Sequence, residues 1–276
     1  MPSASKLHYF FHSPEDRHRK NPPILLIHGA GGNCSSWPPQ IRRLPRCAVY
    51  APDLPGHGRS EGVGRQTVEA YADDIHEFMD GLKLRSAVLT GVSMGGAIAL
   101  QFALKYPKQV VGLILLGSGS RLRVAPAILT ALGSPNLFES AVDTINQNCF
   151  SADVSPRIKE LSKAIMLEMR PTVMLGDFQA CDRFDVTVQL PEIQIPTLIL
   201  CGSEDKMTPP KYSVYLKESI AGAQLKILEG AGHMAMAEQP DVVAGWIAEF
   251  VAQHTKRKVT PSSRKVKRRT KRGSPS

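Results

Sequence analysis

The chain of 276 residues, 42% hydrophobic and 21% charged, is long enough for one large α/β domain or two small ones and can bury a sizeable core. Its formal net charge of +9 would suggest a polyanion partner if it were evenly spread, but ten basic residues and no acid lie between Lys256 and Ser276. Residues 1–255 carry 24 basic against 25 acidic side chains, which excludes a generally cationic body and assigns the basicity to a tail.

In chain order, the opening "MPSASKLHYFFHSPEDRHRK" offers one clear strand around its aromatic run and makes no signal peptide. Short apolar runs that end in Gly, Pro or Asp then predict buried strands at 22–29, 47–53, 86–92, 110–117, 195–202 and 225–230. Between them, 68–82 spaces Tyr71, Ile75, Phe78, Met79 and Leu82 along one helical face. Residues 95–107 are apolar nearly all round, as in a helix packed on a sheet, with Pro107 as the stop; 241–254 has the same character. Strands alternating with helices predict an α/β fold, with a mostly parallel central sheet covered by helices on both faces. From 121 to 190 the pattern is helical without a strand, broken by Pro126, Pro135, Pro156 and Pro171. This predicts a helical cap inserted between two strands of a core formed by 1–120 and 191–255. Residues 256–276 hold almost nothing apolar, and disorder is expected of them.

Five widely spaced cysteines with no C-x-x-C argue against a disulfide framework or a zinc site and fit a reducing compartment. The longest apolar runs, such as "VVGLILLG", are too short to span a bilayer, so a cytoplasmic protein is expected.

The chemistry centres on "LTGVSMGGAIAL", residues 89–100. A serine hydroxyl is a poor nucleophile at neutral pH; it needs exposure and a base within hydrogen-bond reach. Gly91-Val92-Ser93-Met94-Gly95 fits G-x-S-x-G between a strand and a helix, a sharp turn that lifts Ser93 to its apex and leaves no room for flanking side chains. The helix N-terminus then directs its positive dipole end toward an anion forming beside Ser93. A glycine-rich loop, His28-Gly29-Ala30-Gly31-Gly32, follows the first core strand and matches neither phosphate-binding glycine pattern. Backbone N–H groups of Ala30 and Met94 are the expected oxyanion hole. Asp205 lies past a strand end in "LILCGSEDKMTP", and His233 follows the last strand in "LEGAGHMAMAEQP". The order Ser93, Asp205, His233 is that of hydrolases with nucleophile elbows, with His233 as base and Asp205 fixing its tautomer. Glu204 adjoins Asp205, and spacing alone does not decide which carboxylate faces His233. His8, His12, His18, His76 and His254 are expected at the surface; His28 is expected to brace the glycine loop, and His57 to be structural.

Together, "HGAGG" (28–32), "DLPGHGRS" (53–60), "GVSMGG" (91–96), "GSEDKMTP" (202–209) and "GAGHMAMAEQP" (230–240) resemble the α/β-hydrolase superfamily across residues 7–254. Within it the chain resembles small esterases and lactonases grouped with pimeloyl-carrier-protein methyl esterases and 3-oxoadipate enol-lactonases. The resemblance implies Ser93 as nucleophile, Asp205 as triad acid, His233 as base, and Ala30 and Met94 as oxyanion donors. Epoxide hydrolases and haloalkane dehalogenases of the superfamily carry aspartate at the elbow, so Ser93 argues against both.

The leading expectation is a serine carboxylesterase acting without cofactor or metal on short- to medium-chain acyl esters through an acyl-enzyme. Lactone opening, C–C bond hydrolysis and perhydrolysis use the same triad, and a small-molecule receptor on this fold is the non-enzyme alternative. The tail either contacts nucleic acid or another anionic surface or stays solvated; its lack of aromatic residues weakens base stacking.

Overall fold

A computed structural model describes residues 7–14 and 21–254; the basic tail and the expectations attached to it lie outside these residues. The strands are β1 (Tyr9–His12), β2 (Ile24–Ile27), β3 (Val49–Pro52), β4 (Ala87–Val92), β5 (Val110–Leu116), β6 (Thr197–Gly202) and β7 (Gln224–Leu228). They form a single sheet in the order β1-β3-β2-β4-β5-β6-β7. Only β1 runs antiparallel, pairing Tyr9 with Pro52 and His12 with Val49.

The central strands are apolar at nearly every position because both of their faces are covered. Along β2, Ile24 and Leu26 pack on one side of the sheet while Leu25 and Ile27 pack on the other, following the two-residue period of an extended chain. One apolar layer joins Leu25, Ile27, Leu89 and Leu113 to helices α2 (Val68–Gly81) and α3 (Met94–Lys105). The opposite layer joins Ile24, Leu26, Ile114 and Leu200 to α1 (Pro39–Arg42) and α10 (Pro240–His254). Helix α8 (Pro210–Ser219) leads into β7, and the short α9 (Ala235–Glu238) precedes α10.

Helix boundaries have local causes. The Thr67 hydroxyl accepts from the Ala70 N–H, 3.3 Å away, and so caps α2. Helix α3 stops two residues before Pro107, because the ring of a proline disfavours helical geometry in the residue preceding it; Tyr106 has φ −126° and ψ 50°.

Four helices lie between β5 and β6: α4 (Pro126–Leu132), α5 (Phe138–Asn148), α6 (Pro156–Leu167) and α7 (Pro171–Arg183). Pro126, Pro156 and Pro171 occupy the first turns of α4, α6 and α7, where the missing N–H removes no helical bond. These prolines therefore begin helices rather than interrupt one. The four helices share an apolar cluster of their own, and their segment is closed at its base by a bridge between Arg121 and Asp185.

The sheet order reverses at β2. The chain steps from β2 outward to β3, then returns to the other side of β2 as β4, so the loops after β2 and β4 part from adjacent parallel strands. In open α/β sheets such a crevice, outside the strand carboxyl ends, is where ligands bind. Here those loops begin at His28 and Ser93.

Candidate active site

Ser93 adopts φ 54° and ψ −120°, a conformation in which L-residues are strained by about 1–3 kcal/mol. The turn is held from several sides: Ser93 N–H donates to the Leu116 carbonyl at 2.9 Å, and the Ser93 carbonyl accepts from Gly96 N–H and from the Ser118 hydroxyl. Glycines make the bend possible. A Cβ on Gly91 would lie 2.0 Å from the Gly95 carbonyl oxygen, and one on Gly95 would lie 2.1 Å from that of Ile27. Met94 is the first residue of α3, so its N–H has no partner inside the helix; its side chain is buried in the core.

Asp205 and His233 meet although they follow different strands. His233 Nδ1 donates to the Asp205 carboxylate, with its oxygens at 2.9 and 3.1 Å. Glu204, left open by spacing, is exposed and plays no part in this pair. Thr208, which sequence reasoning missed, donates its hydroxyl to Asp205 Oδ2 at 2.8 Å, while Oδ1 accepts backbone N–H groups from Met207 and Thr208. Burial alone would raise the Asp205 carboxyl, but the His233 imidazole and the Thr208 donors outweigh it and hold the group below the ordinary carboxylate value. A carboxylate accepting from residues two and three further on is a recognisable turn, and D-x-x-T was the available signal.

The His233 loop is pinned from below. Gly232 N–H donates to Glu238 Oε1 at 2.9 Å, the Ser151 hydroxyl donates to Glu238 Oε2 at 2.5 Å, and Met234 N–H donates to the Cys149 carbonyl. Glu238 thus ties the loop to the segment after α5, a role not foreseen from the sequence. Gly117, at φ +48°, passes so close beneath the imidazole that a Cβ there would lie 3.0 Å from Nδ1.

Ser93, His233 and Ala30 line one cavity of about 260 Å³. Helices α5, α6 and α7 supply much of its wall through Ile145, Ile158, Met166 and Phe178, with Met207 and Met234 from the strand-end loops. The glycine loop enters from β2 and passes close to the serine: a Cβ on Gly29 would lie 3.2 Å from the Val92 carbonyl oxygen and 3.3 Å from Ser93 Cβ, tighter than an ordinary van der Waals contact. His28 braces the loop as expected. Its Nε2 accepts from Leu54 N–H at 3.0 Å and its Nδ1 donates to the Gly29 carbonyl at 2.8 Å, a neutral ring. Burial first, and the charge of His57 second, lower its pKa to about 4.

His57 is the opposite case. Acceptors face both of its nitrogens, Pro55 O at 3.0 Å and Asp177 Oδ2 at 2.7 Å, so both carry protons. Desolvation would lower its pKa, but Asp177 reverses that and the net direction is upward. Asp177 was not anticipated. It stands on α7 among Val173, Met174 and Ala180, and a lone carboxylate on an otherwise apolar helical face was the signal to notice.

His8 departs from its expected surface role. It is half-buried, with Nδ1 2.7 Å from Asp53 Oδ2, and with Cys34 this makes one metal-sized group among the described residues. The group does not suit a metal. Asp53 already accepts N–H groups from Cys34 and Arg59, and burial followed by Asp53 pushes the Cys34 thiol up to about 12, away from the thiolate a metal requires. All five cysteines are unpaired. No helix among the described residues is long and apolar enough to cross a membrane.

A mostly parallel sheet with helices on both faces, a strained serine at a strand-to-helix turn and a histidine–carboxylate pair past later strands define the α/β hydrolases as a class. Residues 24–246 match the family model described as the alpha/beta hydrolase family, and the chain belongs to that family. It is 28% identical over 259 aligned positions to a pimeloyl-[acyl-carrier protein] methyl ester esterase of Neisseria meningitidis, covering 85% of this chain and 97% of that protein. It is 30% identical over 251 positions to a 2-hydroxy-6-oxo-6-phenylhexa-2,4-dienoate hydrolase of Burkholderia cepacia, covering 83% and 87% respectively. Among solved structures, the enol-lactonase of Burkholderia xenovorans superposes with a TM-score of 0.83 at 25% identity, covering 90% of this chain and 96% of that one.

Proposed function

We propose that the protein is a serine carboxylesterase in which Ser93 is the nucleophile, His233 the base, Asp205 the carboxylate that orients it, and the Ala30 and Met94 N–H groups the oxyanion hole. The observation that carries this reading is the buried His233–Asp205 pair facing the same cavity as the strained Ser93. His233 takes the hydroxyl proton as Ser93 attacks the ester carbonyl, and charge builds on the carbonyl oxygen between the two amides. Collapse expels the alcohol, protonated by His233, and leaves an acyl-serine. Water, deprotonated by the same imidazole, then adds to the acyl carbon and releases the acid. Asp205, held ionised by its neighbours, keeps Nδ1 protonated and Nε2 free to act as the base.

The helices between β5 and β6 act in this reading as a cap that roofs the serine. An apolar wall and about 260 Å³ of space suit a short- or medium-chain acyl group better than a highly charged one. Five unpaired cysteines support a reducing, cytoplasmic setting. Hydrolysis of p-nitrophenyl acetate and butyrate by the wild type and Ser93→Ala tests the assignment. Turnover should vanish in the variant, and equal turnover would refute it. Because relatives include an enol-lactonase, a lactone series belongs in the same assay.

A further inference from the structure

The least expected group near the cavity is the Asp177 carboxylate, in the middle of α7 and 0% exposed. A buried carboxylate costs several kcal/mol unless donors compensate it, so its partners indicate why it is there. Oδ2 accepts from His57 Nε2 at 2.7 Å and from the Gly31 N–H at 2.9 Å; Oδ1 accepts from the Tyr71 hydroxyl at 2.5 Å. His57 and Tyr71 belong to the sheet-covering body, and Gly31 belongs to the glycine loop, 146 positions earlier in the chain. Helix α7 is pressed close at this point. A Cβ on Gly176 would lie 2.9 Å from the Arg65 carbonyl oxygen, and one on Gly31 would lie 3.4 Å from Met174 Cε.

The geometry of the loop converts that anchor into an effect on Ala30. The Gly29 carbonyl and the Ala30 N–H belong to one planar trans peptide, so fixing the first aims the second the opposite way. The Gly29 carbonyl accepts from His28 Nδ1 at 2.8 Å and from Gly32 N–H at 3.1 Å. The second of these bonds closes a turn whose central residues are Ala30 and Gly31, the latter at φ +65°. The Gly31 N–H, in the peptide immediately after Ala30, is the one Asp177 holds. His28 secures the plane before Ala30, and Asp177 the plane after it.

We propose that Asp177 is a positioning residue for the oxyanion hole: by holding the Gly31 N–H it anchors the turn within which the Ala30 N–H is aimed, and because it stands on the inserted helices it makes a competent oxyanion site depend on their seating. The inference rests on the serine esterase reading and extends it to a residue far from the reacting atoms. Asp177→Ala removes the acceptor. Asp177→Asn keeps one oxygen for Gly31 but no charge. Tyr71→Phe removes a donor from the same carboxylate while leaving Gly31 anchored.

The readouts are kcat and KM on p-nitrophenyl butyrate, and affinity for an alkyl trifluoromethyl ketone, whose serine adduct carries an oxyanion. They are set against affinity for butanoate, which forms no such adduct. Removing an oxyanion donor outright costs about 10²–10³ in kcat, and misdirecting one should cost somewhat less. We expect Asp177→Ala to lose about 30- to 100-fold in kcat and in ketone affinity, and Asp177→Asn about 5- to 10-fold, with KM and butanoate affinity within about threefold. Tyr71→Phe should lower the melting temperature yet keep kcat within about twofold. If Asp177→Ala does not fold, Asp177→Asn against Tyr71→Phe decides. Asp177 variants that lose stability while kcat and ketone affinity follow Tyr71→Phe would overturn the proposal. A wild type that the ketone leaves uninhibited would instead overturn the serine reading beneath it.

Discussion

His233 Nδ1 lies 2.9 Å from Asp205 Oδ2, and the two residues reach each other from the ends of neighbouring parallel strands, β7 and β6. The contact also includes the Thr208 hydroxyl, 2.8 Å from the carboxylate and 3.2 Å from the imidazole nitrogen. Thr208 thus limits how the carboxylate can turn. Thr208→Val deletes that donor and leaves the backbone N–H to Oδ1 in place. A loss of about 10-fold in kcat with little change in KM is expected, against about 10⁴-fold for Asp205→Asn, which also disturbs the tautomer. Steady-state kinetics on one ester checks both, and equal losses would contradict the division of roles.

The glycines of the elbow and of the last helix should respond in opposite directions. Gly91→Ala places a Cβ 2.0 Å from a backbone oxygen that cannot move aside, and the variant should be insoluble or severely destabilised. Gly245 lies on an exposed face of α10, where an added Cβ would meet nothing within 4 Å, so Gly245→Ala should gain about 0.5–1 kcal/mol from helix propensity. Urea denaturation measures the second, and soluble yield the first.

Two buried histidines predict opposite pH slopes in stability. His28 falls from an ordinary 6.5 to about 4 in the folded chain, so the unfolded state binds the extra proton between those values and stability is lost as pH falls from 6.5 toward 4. His57 is raised, so its contribution is complete below 6.5 and is lost as pH climbs through the higher folded value. His28→Gln should flatten the acid side of a plot of melting temperature against pH, and His57→Gln the alkaline side. Slopes unchanged from the wild type would contradict these assignments.

Chain-length preference should follow two half-buried wall positions. Met207→Ala enlarges the cavity and should move the best p-nitrophenyl ester to a longer acyl chain; Ala237→Leu fills it and should favour acetate. A preference unmoved in both would mean that the acyl group lies elsewhere.

The sheet and the serine turn were legible in the sequence because both are local. Strand β4 is a buried, mainly apolar run closed by Gly91 and Val92, and Gly91-Val92-Ser93-Met94-Gly95 carries its geometry within five residues. Spacing alone left Asp205 and Glu204 open, since adjacent carboxylates differ only in the direction a loop turns them, and it was the resemblance that favoured Asp205; the coordinates pair Asp205 with His233 and leave Glu204 exposed. Asp177 was hidden for another reason. The helical pattern of 121–190 covers the residue, but neither Gly31 nor His57 can be inferred as its partner from such a pattern, because the pairing depends on how the inserted helices sit. The prolines of that region marked its breaks in the sequence, and three of them prove to open the helices that follow, since a residue that breaks a helix from inside also starts one well.

The central claim is that His233 makes the Ser93 hydroxyl reactive, and fluorophosphonate labelling followed by peptide mapping tests it most directly. One label per chain on Ser93, formed at least about 100-fold more slowly in His233→Ala, is the predicted result. A label on another residue, or a rate unaffected by loss of the imidazole, would contradict the account.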